Sequence, residues 1–185
     1  MTEVRAGMLL LATPALLDPN FAGTVVLLVD VNDDGCLGVV LNRPTEVLVA
    51  QVLGDWGSVC TAPEVLFSGG PVEKDGALAV ALRHSDDEGV LGLRPVADRL
   101  AVLDLDTPVE IVGDELDGLR VFAGYAGWGA GQLENEIARE DWYVVPAQPA
   151  DVFRADTTTL WRDVLRRQPG DLALHSTRPA DPELN

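Results

Sequence analysis

Apolar positions fall along the chain in short runs set apart by turn chemistry. Residues 6–13 (AGMLLLAT) and 23–31 (GTVVLLVDV) are almost continuously apolar, with PALLDPNF near the join. Runs of strand length without polar alternation predict strands buried on both faces. Asn32-Asp33-Asp34-Gly35 is a turn signal before CLGVVLN, so the second and third strands form a hairpin. Arg43-Pro44 ends the third strand, because proline donates nothing to a ladder. Residues 46–53 place Val47, Leu48, Val52 and Leu53 at helical spacing and predict a short amphipathic helix.

Further along, 65–68, 77–84 and 100–105 read as strands, and 86–89 as a loop. The acidic segment 104–117 carries Val109, Ile111 and Val112 in a spacing that leaves helix and strand both open. A strand over 119–125, a helix over 132–140 and a strand over 142–145 follow. Residues 157–167 form a helix with Leu160, Trp161, Val164 and Leu165 as its apolar stripe and Asp156 or Thr157 as its N-cap. Arg166 and Arg167 stand where a helix C-terminus favours cations. The connection 54–63 is the least patterned. Hairpins mixed with separated helices predict an α+β fold: a mixed, mostly antiparallel sheet with several short helices, in a single compact domain over 1–185. Residues 172–185, rich in proline, read as an extended tail.

Composition changes this picture in one respect. The 185 residues carry 13 Lys+Arg against 30 Asp+Glu, a net charge of −17. Such a surface repels phosphate backbones and anionic lipid and favours cations or basic partners, beyond its plain role in solubility. No apolar run approaches the roughly 20 residues that span a bilayer. Cys36 and Cys60 are too far apart for a CxxC motif and too few for a disulfide framework. A cytoplasmic location follows as the expectation.

Most catalytic signatures are missing. There is no GxxxxGK[ST], GxGxxG or GxSxG, and His84 and His175 have no ligand spacing with each other or with cysteine, so neither metal nor cofactor is expected. Ser68 before Gly69-Gly70 has a nucleophile's neighbours, but a serine capping a tight turn explains it as well. His84-Ser85-Asp86-Asp87 reads more simply as a polar strand exit. The stretch GYAGWGAGQLENEI, residues 124–137, is richer. Its glycines permit positive φ and close backbone approach, Gln132 falls in the first helical turn, and Glu134 and Glu136 flank the Leu133/Ile137 face. This arrangement suits an anion or amide ligand. The plainer alternative has Tyr125 and Trp128 packing while the glutamates answer the helix dipole.

The blocks LLLATPALLDPNF, TVVLLVD, GCLGVVLNRP, FSGGPVEKDG, GYAGWGAGQLENEI and DWYVVPA, with Phe153 and Trp161 after them, span nearly the whole chain. In these it resembles the AlgH/YqgE-type family of uncharacterised bacterial proteins. The resemblance implies an α+β domain, soluble and cytoplasmic, with a proposed link to transcriptional regulation. It supplies no catalytic residues. LNRP, GGPV and GYAGWGxGQLExEI are its hallmarks, and all three fall at expected strand ends, where loops carry function. A shared cleft is therefore expected. In it Arg43 holds a carboxylate or phosphate with help from the Gly69 and Gly70 amides, and Asn42, Tyr125, Trp128, Gln132, Glu134 and Glu136 line the rest. Three functions compete: a module binding a small anionic or polar ligand; a transcription-linked regulator acting through a protein partner rather than direct DNA contact; and an enzyme using Glu134 or Glu136 as general base.

Overall fold

The computed structural model describes residues 3–85 and 89–177. The apolar runs become strands β1 (Met8–Ala12), β2 (Val25–Asn32), β3 (Gly35–Val40), β4 (Pro44–Leu48), β5 (Val65–Ser68), β6 (Val72–Arg83), β7 (Leu93–Ala97), β8 (Leu100–Leu103), β9 (Leu116–Gly129) and β10 (Trp142–Pro146). Short helices α1 (Val49–Leu53), α2 (Val109–Val112), α3 (Gln132–Ala138), α4 (Pro149–Phe153) and α5 (Leu160–Arg166) join them. The main strand order is β10-β1-β2-β3-β9-β6-β8-β7, with β4 beside β5 and β5 beside β9. Among the described residues the β5–β9 pairing is parallel and the others antiparallel. The sheet curls: an Arg94–Asp30 ion pair of 3.7 Å links β7 to β2, and Gly7 has no room for a side chain against Ala97.

The near-continuous apolar strands are explained by the two faces of this sheet. Leu9, Leu11, Val25, Leu27 and Val29 face the main core, which α4 and α5 close with Val152, Leu160, Val164 and Leu165. Met8, Leu10, Ala12, Val26 and Leu28 face a second core under α3, with Trp128, Leu133 and Trp142. Successive side chains point to opposite faces, and both faces are covered, so alternation disappears from the sequence. A third core packs Val49, Trp56, Val112 and Val121 beneath α1 and α2.

Two arginines tie the layers. Arg120 is 1% exposed and has no carboxylate partner among the described residues. Its guanidinium donates to the carbonyls of Val152, Arg154, Thr61 and Ala62 and lies 4.4 Å from the Phe67 ring centre. Arg167 makes a bidentate pair with buried Asp151, both bonds 2.6 Å, fastening α5 to α4. Asp151 also accepts the Gln148 amide, capping α4.

Several expected boundaries move. Pro44 does not end β3, which stops at Val40; it opens the edge strand β4, paired with Phe67, a position where a missing N–H is tolerated. The helix expected over 46–53 begins only at Val49. Thr45 Oγ1 donates to the Leu66 carbonyl and holds the preceding residues extended. Val47, Leu48 and Val52, expected on the buried stripe, are exposed, and Val49 is the buried residue. Strand β7, with Pro95 inside it, and helix α4 had no expectation. The open segment 104–117 resolves into α2 and one further helical turn, Gly113–Glu115. Helix α5 begins three residues later than expected, after Thr159. Residues Gly170–Thr177 coil into a 3₁₀ helix rather than starting an extended tail; 178–185 and the Asp86–Asp87 pair lie outside the described residues.

Candidate functional site

GYAGWG is not the corner it was expected to be. Strand β9 runs through it to Gly129, because β3 pairs with this half, Gly35 opposite Gly129 and Gly38 opposite Ala126. The irregularity lies across the ladder, in β6. Val72 pairs with Tyr125 and Ala77 with Ala123, so Glu73, Lys74, Asp75 and Gly76 stand against Gly124 alone. The extra residues bulge out. Glu73 has φ of 48° and Gly124 φ of 75°. A side chain on Gly124 would meet the carbonyls of Gly70 and Val72, so only glycine fits there.

An open hollow of about 370 Å³ lies beside this bulge. Leu37, Leu78 and Val102 line it, together with Tyr125, and all four are half-buried residues at the margin of the main core. Glu73 and Asp104 also line it, and among the described residues no lysine or arginine does. One Asp104 oxygen accepts the Asp106 amide at 2.9 Å. Neither the Glu73 carboxylate nor the Tyr125 hydroxyl forms a hydrogen bond or ion pair within the described residues.

The expected three-loop cleft is thus only partly assembled. The GGPVEKDG and GYAGWG blocks converge on this hollow; LNRP does not. Arg43 donates to the carbonyls of Asn20 (2.6 Å), Pro19 (3.0 Å) and Ala22 (3.3 Å). The Asn42 side chain accepts the Val25 amide and donates to the Gly23 carbonyl, both at 3.0 Å. These two side chains hold the connection between β1 and β2 in place. The Gly69 amide is likewise committed to the Ala123 carbonyl, and Gly70 lies hard against the backbone of Tyr125 and Ala126. An anion cradle built from Arg43 and these amides does not form.

Asn42 lines a smaller hollow of about 160 Å³ with Thr13, Gly23, Thr158, Trp161 and Arg162. Its polar walls are already engaged. Thr13 donates to the Glu140 carbonyl, Thr158 to Asp156, Trp161 to the Ala12 carbonyl and Arg162 to the Ser176 carbonyl. The remaining candidates lie elsewhere. Trp128 is 5% exposed and packs with Phe21 and Trp142, ring centres 5.7–6.0 Å apart; it is core, not a ligand contact. Gln132 accepts the Gly129 amide at 3.0 Å, closing the β9–α3 junction. Glu134 is exposed. Glu136 is half-buried, and burial pushes its carboxyl above the usual range, opposed by a hydrogen bond from the Trp128 indole. Neither glutamate lines either hollow. His84 takes Asp117 as its carboxylate partner at 3.0 Å, on an exposed surface shared with Arg99. Among the described residues no group of three or more His, Cys, Asp or Glu could hold a metal, and no helix is long and apolar enough to cross a membrane.

Glu73, Leu37, Leu78, Val102 and Asp104 have no place in the sequence-based site. The turn chemistry of Lys74-Asp75-Gly76 before the strand at Ala77 was a signal for the bulge. Nothing in the sequence marked Val102 or Asp104, which reach the hollow through the pairing of β6 with β8.

The AlgH-like family profile matches residues 9–173. A UPF0301 protein of Streptomyces coelicolor is 51% identical, aligned over the whole chain and 98% of its own length. One from Mycobacterium tuberculosis is 49% identical over 97% of this chain and 90% of its own. A crystal structure of a Corynebacterium diphtheriae protein superposes with a TM-score of 0.91 at 35% identity, covering 96% of this chain and 94% of that one. The solution structure of AlgH from Pseudomonas aeruginosa gives 0.69 at 28%, covering 97% and 98%. With the profile spanning β1 to the last helical turn and half the residues identical in full-length relatives, the chain belongs to the AlgH-like family.

Proposed function

We propose that the protein is a binding module and that its ligand site is the open hollow between the Glu73–Gly76 bulge, β8 and Tyr125. One observation carries this reading. Two hallmark blocks about fifty residues apart in sequence meet there, beside apolar walls, and bring a carboxylate and a hydroxyl that have no partner among the described residues. Its volume, about 370 Å³, falls in the range of small-molecule sites. The ligand is small and polar; an anion is disfavoured, because the charged walls among the described residues are carboxylates. A general-base role for Glu134 or Glu136 has no support from either hollow.

The test is a screen of small polar metabolites followed by amide NMR shifts. Saturable shifts at Gly76, Ala77, Val102 and Gly124, lost in Tyr125→Ala, are expected. Ligands that shift only residues around Asn42 and Trp161, with Tyr125→Ala unaffected, would move the site to the smaller hollow and end this reading.

A second reading, regulation through a protein partner, is favoured by the exposed apolar residues Val47, Leu48 and Val52 at the β4–α1 junction, flanked by Glu46 and Asp55. The occupant matching that chemistry is a basic amphipathic segment. A basic protein retained from cell extract by the wild-type chain but not by Val52→Asp supports it; equal retention by both removes it.

A further inference from the structure

Resting on the hollow as the binding site, we infer that its ligand is an amphipathic cation: an ammonium group on a short alkyl body. The walls divide by chemistry. Leu37, Leu78 and Val102 come from β3, β6 and β8 and form an apolar surface continuous with the main core. An alkyl chain laid on it leaves water, as the core residues beneath it do. Above this surface stand Glu73, on the strained bulge, and Asp104, at the end of β8. The second Asp104 oxygen and both Glu73 oxygens accept no hydrogen bond from the described residues. An ammonium offers three donors and no acceptor, which matches two carboxylates lining one hollow.

Tyr125 also lines the hollow, and an aromatic face attracts a cation. Among the described residues no lysine or arginine competes for the carboxylates from within the lining. The field of the whole chain, at −17, raises the local concentration of cations and opposes anions of the same shape. The carboxylates and the field thus select the same ligand charge, and the apolar floor accepts the alkyl body. A free alkylamine and a lysine side chain of another protein present the same chemistry.

The experiment uses the full chain and four probes: n-pentylamine, n-pentanol, n-pentanoate and a capped peptide with a single central lysine. Amide NMR follows Gly76, Ala77, Val102 and Gly124. The expected result is saturable pentylamine binding at these residues, at about millimolar affinity for so small a ligand. Glu73→Gln weakens it roughly threefold to fivefold, and added salt weakens it further. Glu73 is exposed, so this variant keeps the wild-type spectrum elsewhere. Pentanol or pentanoate binding at the same residues as tightly as the amine would overturn the cation while leaving the hollow as the site. Absence of shifts at these residues with all four probes would overturn both. Peptide binding tighter than pentylamine retains the ammonium and assigns its source to a protein.

Discussion

Glu136 and His84 are displaced from their ordinary titration in the same direction for different reasons. Burial raises the Glu136 carboxyl; the Trp128 indole and Arg139 oppose it, and Asp141 and Asp18 add to it. A carboxyl whose folded pKa lies above its unfolded value adds stability below the usual carboxylate range. It loses that stability as pH rises through the folded value. Glu136→Gln keeps an acceptor for the indole and removes the charge. Thermal melts should therefore show it more stable than wild type at neutral pH, the difference vanishing in acid. His84 is raised chiefly by its hydrogen bond to Asp117 and by that carboxylate's charge. Its protonated form is the paired one, so any contribution is present in acid and lost as pH climbs past the raised value. In Asp117→Asn the imidazole titration followed by NMR should fall back toward the ordinary 6.5. Both groups lie away from the larger hollow, so neither variant should alter ligand binding there.

The elements owe their edges to individual side chains. The connection between β1 and β2 has little apolar anchorage beyond Leu16 and Phe21, and Asn42 and Arg43 supply its hydrogen bonds from the next hairpin. Arg43→Ala removes three bonds to backbone carbonyls. It should cost about 1–2 kcal/mol in denaturant melts and speed amide exchange in residues 18–24. Lysine should restore little, because one ammonium cannot repeat the planar fork. Strand β4 is protected differently. The Leu48 amide binds the Gln51 side chain and the Val47 amide the Thr45 hydroxyl, so its outer edge offers few free donors to a second chain. Gly124→Ala places a methyl among the Gly70 and Val72 carbonyls at positive φ. It should displace the bulge and abolish binding at the hollow before it unfolds the sheet.

At the scale of the molecule, the curled sheet is clamped by the guanidinium of Arg120, which gathers carbonyls from the 61–62 connection and from the end of α4. Burial pulls its pKa below the ordinary value, but guanidinium stays cationic. Arg120→Met fills similar space and leaves those carbonyls without a donor, so a loss of roughly 2–4 kcal/mol is expected from chemical denaturation. The charge of −17 acts over the same distances. Raising ionic strength toward molar, where screening acts within about 3 Å, should raise the melting temperature by relieving self-repulsion.

Apolar run length, helical spacing and turn chemistry were enough to locate the β2–β3 hairpin, β5, α3 and β10, and with them an α+β fold with a mostly antiparallel sheet, because these features are encoded by neighbours in the chain. The hallmark blocks were enough to place the chain in its family. The site was not legible in the same way. Arg43 and Trp128 have the chemistry of ligand contacts, yet one binds backbone carbonyls twenty-odd residues back and the other packs against Phe21 and Trp142. Val102 and Asp104 have no local mark at all, and reach the hollow because β6 pairs with both β8 and β9. Sequence alone settles what a residue can bond to; only the folded sheet decides which partners come within reach, because a hydrogen bond acts over about 3 Å and chain separation carries no information about that distance.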